Sequence, residues 1–326
     1  MELPELGVQR ALIAGYARVL DCLGELARER PLVLPTGEFF PDLFTGDAGS
    51  VQRLLERVQD HAGLSDMAIS ARVFGVDDAS CGSGACGSCG PNASVEPTDM
   101  PSERLTDGGD SWLLNLSATE LTEPVVLTSS LVRGVTLAAL REAEQTPTDL
   151  DAEAAVDLGA VALGFGALAL EGSYIYRKSC GGPSVARVTA LGPSELAIPF
   201  ALFVALGEHS PRAAGKHLSV TQREAFDEAW ALIDSNRKLT SVLARDRGRV
   251  ARGEFELKQS GSLLSRLFGG KSARADELDP HATLDALEAE LATQPPRRQS
   301  APKPADPKLD EIRRLVDEAL NETSAE

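Results

Sequence analysis

Three cysteines crowd into one short stretch of the chain, Cys81-Gly-Ser-Gly-Ala-Cys86-Gly-Ser-Cys89, with C-x4-C-x2-C spacing. Thiolates are good metal ligands, but they converge on one ion only if the backbone between them can turn sharply. Glycine and serine supply those turns and also amide donors toward sulfur. A zinc or iron–sulfur centre needs a fourth ligand, and this loop offers three thiols. The next cysteine is Cys180, and the nearest histidine, His61, falls on the preceding helix. Cys81, Cys86 and Cys89 are therefore a candidate metal site, for zinc or a [2Fe–2S] cluster. The bland alternative is a surface loop with free thiols, and that is the expectation here.

A second pattern is the acidic pair Glu153 and Asp157, four residues apart and so on one face of a helix. Carboxylate pairs are abundant in an acidic chain, so the pair alone does not point to acid–base catalysis. His209, His217 and His281 are scattered over helix ends and the tail and read as solvated. No Gly-x-Ser-x-Gly elbow follows a strand, so serine hydrolysis has no nucleophile to start from.

The elements that must position these residues are mostly helical. Leu12, Ala14, Leu20, Leu23 and Leu26 recur at helical spacing and predict a helix from Gly7 to Arg30. A second helix, capped by Ser50, carries Val51, Leu54, Leu55 and Val58 and ends near Gly63. Met67 to Val76 reads as a strand, Asp77 to Gly109 as a disordered loop, and Ser111 to Leu116 and Pro124 to Leu127 as short strands. Ser129 or Ser130 is the expected cap of a helix ending near Glu144. Leu150 to Leu170 reads as one helix with Asp149, Asp151 and Glu153 at its positive end. Its Gly159, Gly164 and Gly166 lack a phosphate-binding spacing and are expected to let another helix approach closely. Further helices are predicted from Ser194 to Gly207 and from Thr221 to Arg245.

Around residue 256 the composition changes. Residues 257–326 read as a linker and a flexible tail: a Gln259-Ser-Gly-Ser joint, an apolar patch at Leu263, Leu264, Leu267 and Phe268, and a helix from Thr283 to Leu291. A Pro-rich basic stretch and a final helix follow. That last helix carries Leu309, Ile312, Leu315, Val316 and Leu320 as an apolar stripe and is too short to be stable alone in water. It must dock, either on its own domain or in the groove of a protein partner. The fold expected is thus α+β: a predominantly helical core over residues 1–256 with a few short strands, followed by the tail.

Two family resemblances sharpen this picture. The cysteine string resembles the cluster-binding loop of plant-type ferredoxins, which implies a [2Fe–2S] centre, although no β-grasp pattern surrounds it. Over residues 30 to 245 the chain resembles an uncharacterised bacterial family of zincin-type metallopeptidases, on Leu34-Pro-Thr-Gly-Glu-Phe-Phe-Pro-Asp-Leu-Phe, the Val-Gln-Arg-Leu-Leu-Glu-Arg helix, and an acidic helix followed by Gly164-Phe165-Gly166. That family carries an H-E-x-x-H helix. Here Leu127-Thr-Ser-Ser-Leu-Val-Arg-Gly-Val-Thr-Leu stands in its place, so that Arg133 and Leu137 occupy the histidine positions and Gly134 the position of the water-activating glutamate. Glu153 and Asp157 match the family's downstream acidic pair. The resemblance implies a vestigial site at Arg133, Gly134, Leu137, Glu153 and Asp157, with Arg133 pairing with a carboxylate where a metal would sit.

Composition closes off other classes. The net charge is −17 over 326 residues, which repels phosphate backbones and anionic membranes, so neither nucleic acid nor membrane is an expected partner. The N-terminus lacks signal-peptide character, and no apolar run is expected to reach the roughly 20 residues that span a bilayer. An odd number of cysteines, five, argues for a reducing, cytoplasmic setting. The function expected is a non-catalytic scaffold or protein-interaction module without a cofactor. A redox or metal protein using the cysteine loop is the alternative.

Overall fold

A helix that is apolar on every side has to be surrounded by protein or lipid. Two segments are of this kind, Pro124–Glu142 and Ala152–Gly172, and the other elements pack about them in the computed structural model. The structure describes residues 1–74, 105–109, 111–143, 150–179 and 182–258. The chain divides into two compact units, Met1–Phe268 and Gly269–Glu326, and all the described residues belong to the first.

Helix α1 (Leu6–Leu23) leads through a 3-10 turn, Gly24–Ala27, and an irregular stretch to α2 (Ala48–Ala62). Strands β1 (Ile69–Phe74), β2 (Leu105–Asp107) and β3 (Trp112–Ser117) form a sheet of order β1-β3-β2. β1 runs parallel to β3 with Ile69 opposite Trp112, and β2 runs antiparallel to it with Leu105 opposite Leu114. Then come α3 (Pro124–Glu142), α4 (Ala152–Ala160), a π turn at Val161–Phe165 and α5 (Gly166–Gly172). A hairpin of β4 (Ile175–Ser179) and β5 (Gly182–Ala186) precedes α6 (Pro193–Leu206), α7 (Pro211–Lys216), α8 (Val220–Ser235), α9 (Arg237–Arg245) and α10 (Arg247–Ala251). This is an α+β fold, mainly helical, with two small sheets.

Several sequence expectations are corrected. Leu105–Asp107 is a strand rather than part of a loop: pairing with β3 buries Leu105, and Arg141 of α3 donates to the Leu105 carbonyl at 2.9 Å. Pro124–Leu127 begins a helix, because proline at the first helical position has no amide to lose and its φ is already helical. Ser129 and Ser130 thus lie inside α3 and cap nothing: Ser129 Oγ donates to the Leu168 carbonyl and Ser130 Oγ to Glu120. The cap of α2 is Asp47, whose carboxylate accepts from the Ser50 amide at 2.7 Å. The first helix stops at Leu23 because Gly24 turns to φ 51°. The expected helix from Thr221 to Arg245 breaks at Asn236, whose amide side chain both donates to and accepts from the backbone of Lys258. The first unit therefore continues past residue 256, and Leu257 packs on its core.

The helix expected over Leu150 to Leu170 is interrupted. Asp151 caps its start, accepting from the Ala154 amide at 2.9 Å, but at the π turn Gly164 adopts φ 97°. Gly159 and Gly166 do admit close helices: a side chain there would meet Thr136 of α3 and Phe200 of α6. Gly164 does something else. Its missing side chain leaves room for the Pro31 carbonyl, and its own carbonyl accepts from the Val33 amide at 3.0 Å. An extended piece of chain, not a helix, is clamped there.

The expectation that no apolar run reaches the length of a bilayer span is also corrected. Pro124–Glu142 and Ala152–Gly172 are long and apolar enough to cross a bilayer, but 78% and 94% of their most apolar stretches are buried within the protein. Their apolar surface is thus turned toward the protein's own core.

Replacing Gly164 by alanine should lower unfolding stability by about 2 kcal/mol or more, since an L-residue is strained at this φ and its Cβ would collide with the Pro31 carbonyl. Gly37→Ala, where nothing lies near the added atom, should stay within about 0.5 kcal/mol of the parent. Urea denaturation of the two variants checks both.

Candidate functional site

The middle of α3 and the first two turns of α4 face each other across the core. From α3 comes Arg133, whose side chain is 3% exposed; from α4 come Glu153 and Asp157, at 10% and 0%. Asp151 fixes the start of α4, and Glu153 lies in its first turn, where the helix dipole favours a carboxylate. Two anions one turn apart still repel, and the guanidinium answers that by dividing its nitrogens between them. Nη2 donates to Glu153 Oε2 at 2.8 Å, and Nη1 forms an ion pair with Asp157 Oδ1. The other oxygen of Asp157, Oδ2, accepts the Leu191 amide at 2.8 Å, which ties the approach to α6 into the same cluster. The planar fork of arginine suits this double contact; a lysine ammonium does not.

The neighbouring positions are filled by packing. A Cβ on Gly134 would stand 2.6 Å from Leu114 Cδ1, so β3 fills the space a longer side chain would need. Leu137 is 9% exposed and belongs to the apolar core. A catalytic zinc requires three protein ligands, an open coordination position and a nearby base. Here a guanidinium already bonds both carboxylates, and the neighbouring Gly134 and Leu137 are closed in by Leu114 and the apolar core. The residues do not fit a zinc ion. Among the described residues no group of three histidine, cysteine or acidic side chains is placed to hold a metal.

Of the five residues singled out in the sequence, the structure brings Arg133, Glu153 and Asp157 together, while Gly134 faces Leu114 and Leu137 joins the apolar core. Cys81, Cys86 and Cys89 lie outside the described residues, as do Cys180, His281 and the stripe Leu309, Ile312, Leu315, Val316 and Leu320. His209 is half-buried rather than solvated: its ring stacks on Phe203 at 5.1 Å between centroids, and Nε2 lies 3.2 Å from the Arg30 carbonyl. His61 is held by the Phe39 carbonyl at 2.8 Å and by the edges of Phe39 and Phe40. Sequence reasoning missed Glu120, a buried carboxylate that accepts from Ser130 Oγ at 2.6 Å and from the Ser117 amide at 2.7 Å, joining the end of β3 to α3. The short spacing from Ser117 to Glu120 was its only local signal.

Compared with known proteins, the chain matches no family model, no curated protein and no solved structure.

Arg133→Ala should cost about 3–5 kcal/mol of stability, because it strands two buried carboxylates without a counter-charge. Arg133→Lys should recover only part of the loss, since one ammonium cannot reproduce the fork. Equal melting temperatures for parent and Arg133→Ala would show that the cluster does not hold the core.

Proposed function

We propose that the protein is a non-catalytic relative of zincin-like metallopeptidases, acting in the cytoplasm as a scaffold or protein-interaction module. The observation that supports this reading is the place of Arg133. Where the resembled family has its first histidine ligand, this chain puts a guanidinium, and that guanidinium bonds the two carboxylates of the acidic helix. An ion pair and hydrogen bonds thus join the helices that a metal joins in a zincin. Arginine cannot deprotonate to serve as a ligand, and it already bonds both carboxylates of the cluster.

In this reading the core supplies a rigid body and the C-terminal segment supplies recognition. Leu309, Ile312, Leu315, Val316 and Leu320 would lie in the groove of a protein partner, the mode in which a short amphipathic helix gains its stability on docking. The charge of −17 supports a protein partner over nucleic acid or an anionic membrane.

Elemental analysis on protein purified anaerobically without added metal, together with hydrolysis of an unstructured protein substrate, tests the reading. The expected outcome is no hydrolysis and a metal content that Glu153→Gln with Asp157→Asn leaves unchanged. Zinc lost in that double variant would defeat it, and iron or zinc lost in a Cys81, Cys86 and Cys89→Ser variant would move the function to the cysteine loop. Partner capture should require residues 257–326 and should fail for Leu315→Asp in the full chain.

A further inference from the structure

Away from Arg133, Glu153 and Asp157, none of which lines it, α1, the segment after the first 3-10 turn, the end of α6 and the α9–α10 corner line an open cavity of about 580 Å³, within the size range of small-molecule sites. Its apolar wall includes Leu20, Phe203 and Leu206. Tyr16 also lines it, fully buried, and its hydroxyl finds no hydrogen-bond partner in the protein. A buried hydroxyl without a partner is costly and rare, and it marks a place where a bound group can supply the missing acceptor.

Arg28, Arg30 and Arg247 line the cavity with Glu29 and Glu208, and Asp21 also acts on Arg247; of these, Arg247 is the charged group that acts on the Tyr16 phenol and would meet an anion there. Arg247 lines the same cavity, stands close enough to Tyr16 to act on its phenol, and gives one of its donors to the Leu20 carbonyl at 2.9 Å. Burial raises the Tyr16 phenol above its ordinary value, with Arg247 opposing, so the group stays a donor. The backbone is strained on both sides of the opening. Glu29 and Glu208 are the two non-glycine residues with positive φ among the described residues, at 51° and 52°, and both line this cavity. Strain of this kind gathers where a protein holds a shape for a ligand.

We propose that this cavity binds a small monocarboxylate with an apolar body, its head accepting the Tyr16 hydroxyl beside the Arg247 guanidinium and its body lying along Leu20, Phe203 and Leu206. The site is separate from the Arg133 cluster and does not depend on how that cluster is read.

Calorimetric titration of the full chain with octanoate, with octan-1-ol as the neutral counterpart, tests the proposal. Octanoate should bind saturably, one molecule per chain, and octan-1-ol at least about tenfold more weakly. Tyr16→Phe should keep the fold, since it deletes only an unpartnered hydroxyl, and should weaken octanoate binding by about tenfold. Ala244→Trp, an exposed position on the cavity lining, should block binding without touching the core. Absent octanoate binding, equal binding of the alcohol, or parent-like binding by folded Tyr16→Phe or by Ala244→Trp would each overturn the proposal.

Discussion

One buried arginine must satisfy two buried acids, and the arrangement of the core follows from that. Arg133, Glu153 and Asp157 set two carboxylic groups against one guanidinium, with Arg133 and Asp157 almost wholly out of water, so the guanidinium must stay within hydrogen-bond distance of both. That fixes the rotation of α3 and α4 about their own axes and limits how far they can slide. Small residues then bring the backbones together around the cluster: Gly159 under Thr136, Gly172 under Ser129, and Gly134 under Leu114. Leu191, bonded to Asp157, brings the approach to α6 into register with the same point.

The second constraint lies farther along the same helix. The π turn at Val161–Phe165 turns the Gly164 carbonyl out of the helical ladder and toward Val33, and so fastens residues 31–33 across the core. Unsatisfied helix carbonyls at a π turn commonly find such outside partners. The segment just before, through Arg28 and Arg30, then forms one wall of the cavity that holds Tyr16, and His209 reaches across to the Arg30 carbonyl from α6. A kink in the innermost helix thereby sets the width of an opening at the surface.

How much of this was legible in the sequence depends on the range of the physics involved. Helical periodicity made α2 legible nearly as it stands, because one of its faces is apolar and the other charged, and the unbroken apolar run from Leu196 to Val204 did the same for α6. The pairing of Arg133 with Glu153 or Asp157 was expected only through the resemblance, which set an arginine at a ligand position beside the acidic pair. The strand at Leu105 was hidden, because what makes it a strand is β3, not its own three residues. Val125 and Val126 read as strand by their branching, and the proline before them, which starts α3, carried the better signal. The break at Asn236 depends on a bond to Lys258, and the clamp at Gly164 on a carbonyl of Pro31. The Tyr16 cavity needs four separate pieces of chain and has no motif at all.

The cluster also bears on what kind of molecule this can be. Replacing a buried ion triad by well-packed apolar residues is often neutral or stabilising, whereas removing one partner is severe. Arg133, Glu153 and Asp157 therefore cannot be abandoned one at a time: each single loss strands a charge, and only a concerted exchange escapes the penalty. A pair of acids left behind by a departed metal would meet the same barrier, and an arginine arriving at a former ligand position removes it in a single step. On the proposed reading the acidic pair persists because its counter-charge persists, and retention of Glu153 and Asp157 is no sign of retained catalysis. What such a core retains is rigidity, and a rigid core with its charges satisfied is suited to carrying recognition elements elsewhere on the chain.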